Sequence, residues 1–238
     1  MKEFDNKKDA SPKSQRGATH RENRVHRILV RVLLLMMVVE WMVLLIDQRW
    51  FSAFLVTLII ATLLSPIIFR NRMEMEIPAE FHITAVVFIF ASLYLGEIQD
   101  FYYRFWWWDI ALHSSAGLLM GIVGFLLVYL LNESKRVELH MTPVFISFFT
   151  FSFAVTIGTL WEIFEYTMDR LFRLNMQKPM MGDPSGLTDT MWDMIVNAMG
   201  AFIISYMGWW YLKRKRTFFV KELIRKFIES NPTMFNKD

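Results

Sequence analysis

Asp109 and His113 stand four residues apart. Glu162, Glu165 and Asp169 follow at spacings of three and four, and Asp189, Asp193 and Asn197 recur at four. On a helix, residues at these spacings share one face. Carboxylates with one imidazole suit a hard or borderline divalent cation: Mg²⁺, Mn²⁺, Fe²⁺ or Zn²⁺. Such an ion would neutralise the acidic groups, activate a bound water or hold a phosphate oxygen. Without a metal, His113 and a glutamate would serve as acid and base. A proton-coupled transporter would use the same groups as a relay. The residues favoured as metal ligands or catalytic acid–base groups are His113, Glu162, Glu165 and Asp193. Asp109, Asp169, Asp189 and Asn197 are expected to surround and support them.

Each residue also has a plainer role. Asp109 and Asp189 are suited to cap helix N-termini, where a carboxylate accepts orphan N–H groups. Glu97 and Asp100 read as solvated loop residues, and a lone His113 as a hydrogen-bonded packing residue. Glu162 and Glu165 fit the plain role least. They lie inside an apolar helix near its C-terminus, where the helix dipole disfavours negative charge. They need a cation, a proton or an arginine. Arg170 and Arg173 are the nearby candidates, and a structural ion-pair network is the alternative to a site.

The elements that carry these residues are apolar. The 238 residues are 54% hydrophobic and 16% aromatic, with a mean hydropathy of +0.30. The apolar residues come in blocks rather than with an amphipathic period, which indicates an all-α polytopic membrane protein. Six transmembrane helices are expected, at Ile28–Ile46, Phe51–Phe69, Ala79–Ile98, Asp109–Leu131, Pro143–Met168 and Trp192–Leu212. Each is about the length that crosses ~30 Å of hydrocarbon. The first apolar run lacks a small-residue cleavage pattern, so it reads as an uncleaved span. The six form one transmembrane domain over residues 27–212. Cysteine is absent, which excludes disulfides and thiolate metal sites. No phosphate-binding loop, dinucleotide fingerprint or nucleophile elbow occurs, and no nucleic-acid partner is expected.

Charge orients the helices. The N-terminal segment holds Lys2, Lys7, Lys8, Lys13, Arg16, Arg21, Arg24 and Arg27, and the C-terminal segment Lys213-Arg-Lys-Arg216, Lys221, Arg225 and Lys226. The opposite side has Arg49, Arg104, Arg170, Arg173 and Lys178. The positive-inside rule therefore places both termini in the cytoplasm and the acidic groups at the outer edge of the membrane. Glu40, in the outer part of the first span, is a further carboxylate at that level. Residues 1–26 read as a disordered basic tail. Residues 213–238 read as a basic amphipathic tail suited to anionic lipid headgroups. The turn-rich stretch Met181–Thr188 reads as a lid, a substrate rim or a plain connection.

Three motifs resemble the bacterial YjdF-like inner-membrane family: Asp109-x-x-x-His113-x-x-x-Gly117, Gly158-x-x-Trp161-Glu162-x-x-Glu165, and Leu187-Thr-Asp189-Thr-x-x-Asp193-x-x-x-Asn197-x-x-Gly200. More distantly, their order is similar to that of the VanZ-like family, linked to glycopeptide resistance at the cell envelope. Glu165-Tyr166 departs from the Glu-Gln pair usual there. The resemblance implies a multi-pass protein of the bacterial inner membrane with an envelope or lipid role. Together these readings favour a metal-dependent hydrolase or transferase acting on a lipid or lipid-linked envelope substrate. A cation- or proton-coupled transporter is the alternative. A structural or regulatory membrane protein is the third reading.

Overall fold

The computed structural model describes residues 12–69, 79–133 and 141–214. The chain runs as α1 (Pro12–Ile46), α2 (Trp50–Phe69), α3 (Ala79–Ile89) continued by a π-helix (Phe90–Ile98), α4 (Phe101–Arg104), α5 (Trp108–Glu133), α6 (Pro143–Phe172) and α7 (Leu187–Arg214). Among the described residues the only strand-like pairing is an isolated bridge between Met180 and Asp183. Phe81–Ile98, Trp108–Tyr129, Pro143–Phe172 and Leu187–Arg214 are long and apolar enough to cross a membrane, and Trp50–Ser65 is a shorter apolar helix. The expected first span lies within α1. The protein is an all-α polytopic membrane protein.

Two helices extend beyond the spans expected from the sequence. α1 reaches back to Pro12, into the basic segment read as disordered. Its Lys, Arg, Gln, Ala and Glu residues are good helix formers, and extending an existing helix costs far less than nucleating one. Residues 1–11 lie outside the described residues. At the other end, α7 begins at Leu187 rather than Trp192. Residues 215–238, where the amphipathic tail is expected, also lie outside. In the last turn of α7, Lys213 and Arg214 sit 4.6 Å and 4.2 Å from the rings of Trp209 and Trp210. That geometry suits an aromatic and basic anchor at a membrane surface.

The chain divides into two compact units, up to Tyr94 and from Leu95, with the border inside the π-helix. In the first unit, α1 and α2 form a hairpin. The Arg49 N–H donates to the Leu44 carbonyl at 2.9 Å, and Gln48 turns the chain at φ 57°. Met37, Leu44, Ala53, Val56, Ile59 and Leu63 are buried. The Trp41 indole donates to Thr57 Oγ1 at 3.1 Å. Glu40 belongs to this unit.

The second unit is built on α5, α6 and α7, each packed against the other two. The starts of α5 and α7 lie beside the end of α6. Pro143 opens α6 where its missing N–H is harmless, and Thr142 caps it by accepting from the Phe145 N–H at 3.3 Å. Phe125, Val128, Ile146, Thr150, Ala154, Ala201 and Ile204 form the core. Toward the end away from the acidic groups, the Ser205 hydroxyl donates to the Ser147 carbonyl at 2.6 Å. The outer faces of α6 and α7 expose Phe148, Ile163, Met199 and Phe202, while Glu162, Asp189 and Asp193 are buried. Apolar outside and ionisable inside is the arrangement expected in lipid.

Candidate functional site

α5 starts with Trp108 and presents Asp109 and His113 one turn apart. The His113 ring is the hub of the cluster. Its Nε2 lies 3.4 Å from Asp109 Oδ1 and 3.8 Å from Asp193 Oδ2, and its Nδ1 lies 3.5 Å from Glu162 Oε1. One imidazole thus meets a carboxylate from each of the three helices. Asp109, His113 and Asp193 each offer one ligand atom, and all three atoms lie within 4.8 Å of one another. His113 is about 7 Å along α5 at ~1.5 Å per residue, which sets the cluster below the bundle rim rather than on it.

Glu162 and Asp193 are only 3% and 1% exposed. Among the described residues, no oxygen of either carboxylate takes a hydrogen bond of ordinary geometry, and the Thr190 hydroxyl reaches Glu162 only more loosely. Buried polar groups are ordinarily hydrogen-bonded, and buried charges ordinarily paired. A protonated His113 carries one positive charge against three carboxylates. Protons or a bound cation must supply the remainder.

The arginines considered for this role do not supply it. Arg170 lies over the Tyr166 ring at 5.2 Å, and Arg173 closes α6 in the left-handed conformation. Among the described residues neither forms an ion pair with Glu162 or Glu165. Glu165 lies one turn beyond Glu162, also buried, and accepts the Trp161 indole N–H at 2.9 Å.

Asp169 and Asp189 face the connection between α6 and α7. Asp169 accepts the backbone N–H groups of Met176 and Gln177 at 2.8 Å and 3.0 Å. Asp189 accepts the backbone N–H of Lys178 at 2.7 Å. Asp189 was expected just before α7. It lies in the first turn, and its carboxylate holds the connection instead of capping its own helix. Gln177 Nε2 adds a bond to Thr190 Oγ1 at 2.7 Å. The connection is therefore a strap fastened across the site end of the bundle. At its tip, Met181 and Gly182 both take positive φ, 50° and 82°. This tight turn is closed by the Asp183 N–H donating to the Met180 carbonyl at 2.9 Å. The hydroxyl and N–H of Ser185, then those of Thr188, hold the Asp183 carboxyl below the usual carboxylate range.

Asn197 lies deeper, where the helices cross. Its Nδ2 donates to the Ala154 carbonyl at 3.4 Å. A Cβ on Gly117 would fall 2.1 Å from the Asn197 carbonyl oxygen, and one on Gly158 would fall 2.2 Å from Asn197 Nδ2. Those two glycines let α5 and α6 close on α7 and so bring His113 and Glu162 to Asp193.

Sequence reasoning overlooked Lys178, counted only as an outer positive charge. It is 7% exposed. Its Nζ donates to Glu97 Oε1 at 2.8 Å and to the Asn175 carbonyl, and lies 5.3 Å and 5.5 Å from the Tyr102 and Tyr103 rings. Glu97, read as solvated, is thereby an ion-pair partner. The two are far apart in sequence, and nothing local to either signals the pairing.

A relative in Thermotoga maritima, an uncharacterised protein, is 26% identical over 155 residues, covering 65% of this chain and 74% of its own. No solved structure matches the chain. The comparisons do not extend to the VanZ-like family. The family of predicted membrane proteins DUF2238 matches residues 29–214, a stretch that includes the whole α5–α7 bundle with its His113 cluster. This is the YjdF-like family that the three motifs resemble, and the chain belongs to it.

Proposed function

We propose that the protein is a divalent-metal-dependent membrane enzyme acting on a lipid or lipid-linked substrate of the cell envelope. One observation carries this reading. His113 is within 3.8 Å of Asp109, Glu162 and Asp193, and the buried carboxylates of Glu162 and Asp193 take no hydrogen bond of ordinary geometry among the described residues. Ionisable groups in a membrane interior are expensive unless they pair with one another or bind an ion. One imidazole with carboxylates suits Zn²⁺, Mn²⁺ or Fe²⁺ better than Ca²⁺. A metal there would polarise a substrate oxygen or activate water.

Depth and surroundings support a lipid substrate. The cluster is at one end of an apolar bundle, near the exposed aromatic rings of Trp106 and Trp107, which suit the headgroup level. The distribution of Lys and Arg supports a reading with this end at the outer face of a bacterial inner membrane and the termini in the cytoplasm. Basic residues of the termini would bind anionic headgroups on the other leaflet.

The test uses purified protein in lipid nanodiscs with extracted bacterial envelope lipids, read by mass spectrometry. A new lipid product should form with Mn²⁺ or Zn²⁺, vanish with chelator and be absent in His113→Ala. No product under any metal, with metal-dependent cation or proton flux in liposomes, would replace the enzyme by a carrier that uses the same carboxylates.

A further inference from the structure

The two nitrogens of the His113 ring face different company, and this divides the cluster into two roles. Nε2 faces Asp109 Oδ1 at 3.4 Å and Asp193 Oδ2 at 3.8 Å. Nδ1 faces Glu162 Oε1 at 3.5 Å. An imidazole binds a metal through one nitrogen and usually donates the other N–H to a carboxylate or carbonyl. The sequence places Glu162 among the metal ligands with Glu165, and Asp109 among the supporting residues. The ring geometry reverses that order.

We infer that Asp109, His113 Nε2 and Asp193 form the metal-binding face, while Glu162 is a positioning residue that accepts the His113 Nδ1 proton and fixes the ring. This rests on the metal reading of the same site. The grouping of ligand atoms supports it, since Asp109, His113 and Asp193 each offer one within 4.8 Å of the others. Two ligands about 2.0–2.1 Å from a tetrahedral ion stand roughly 3.4 Å apart, close to the Nε2-to-carboxylate distances. The Nδ1–Glu162 separation of 3.5 Å lies in the same range and is likewise longer than an ordinary N–H···O bond, ~2.7–3.2 Å, so the division rests on which ring edge each carboxylate faces and not on distance. Asp109 and Asp193 come from different helices but meet the same nitrogen, whereas Glu162 approaches from α6 on the other edge of the ring. With Glu162 holding the Nδ1 proton, the Nε2 lone pair points to Asp109 and Asp193. The burial of Glu162 has a further consequence. Without the His113 proton to accept, its carboxylate would keep only the looser approach of the Thr190 hydroxyl. Glu165 already accepts the Trp161 indole, so it is not required as a ligand.

The inference is tested by titrating Co²⁺ into detergent-purified protein, following visible absorption, with Zn²⁺ competition for affinity. The variants are Asp109→Asn, Asp193→Asn, Glu162→Gln and Glu162→Ala. Glu162→Gln keeps an acceptor for the Nδ1 proton without the charge. It should bind Co²⁺ with the parent's spectrum and at most a modest loss of affinity. Glu162→Ala should keep the spectrum but bind about 10- to 100-fold more weakly. Asp109→Asn and Asp193→Asn should lose the ion or change the spectrum, because the coordination itself changes. If Glu162→Gln alters the spectrum as Asp193→Asn does, Glu162 is a ligand and the division is wrong. Parental affinity in Glu162→Ala would also overturn it. Failure of the parent to bind Co²⁺ or Zn²⁺ would instead remove the metal reading itself, a different result from either.

Discussion

Asp189 and Asp193 sit one turn apart on α7, almost equally buried at 2% and 1% exposure. Asp189 accepts a backbone N–H from the strap, whereas Asp193 has no hydrogen-bond donor among the described residues and faces the His113 ring. The same contrast holds on α6 between Asp169, which accepts two backbone N–H groups, and Glu162, which accepts none. Carboxylates that fasten the strap are satisfied by the chain. Carboxylates that face His113 are left for something else. The difference separates structure from site more cleanly than residue type or burial does.

That contrast makes opposite predictions for stability. The largest loss should come where neither group is involved but the geometry of both depends on close packing. Gly117→Ala drives a methyl into the Asn197 carbonyl and should destabilise by about 3 kcal/mol, the upper end for overpacking. Thermal unfolding in detergent measures it. Next, Asp189→Ala should destabilise by about 2 kcal/mol, since it leaves the buried Lys178 N–H without its acceptor, and limited proteolysis should then cut the strap. Asp169→Ala should lose about 1–2 kcal/mol for the same reason. Asp193→Asn should behave differently. Compared with the parent in chelator, removing a carboxylate that takes no hydrogen bond should leave stability unchanged or raise it by up to about 1 kcal/mol, while the stabilisation that added metal gives the parent disappears. A fall in melting temperature as large as that of Asp189→Ala would break the contrast.

The smallest effect belongs to the exposed strap tip. In the folded chain the bonds from Ser185 and Thr188 hold the Asp183 carboxyl below its ordinary range. Its contribution is therefore complete above the ordinary aspartate range and fades as pH falls through the lowered value. Asp183→Asn should slightly increase protease cutting of the tip near neutral pH. The difference from the parent should vanish in strong acid.

The helices were legible because blocks of about twenty apolar residues leave few alternatives. The three-and-four spacing of Asp109, His113, Glu162 and Asp193 also showed which faces would meet. The roles within the cluster were less legible. Spacing on one helix cannot say which edge of an imidazole a carboxylate from another helix will approach, which is why the roles inferred for Asp109 and Glu162 from the ring differ from those read from the sequence. The extra first turn of α7 moved Asp189 into the helix and onto the strap. Lys178 and Glu97 pair across a long separation, and a buried lysine between two tyrosines leaves no periodic trace. Asn197 resembled a site residue by register, but its fit against Gly117 and Gly158 depends on how closely three helices approach.

The central claim is that the cluster of carboxylates around His113 holds a divalent metal. Elemental analysis of gently purified protein, beside Asp193→Asn and His113→Ala shown to be folded, tests it most directly. The expected result is about one divalent ion per chain in the parent and a small fraction of that in both variants. A parent without metal even after Zn²⁺ and Mn²⁺ are supplied, or variants that retain as much as the parent, would contradict the claim.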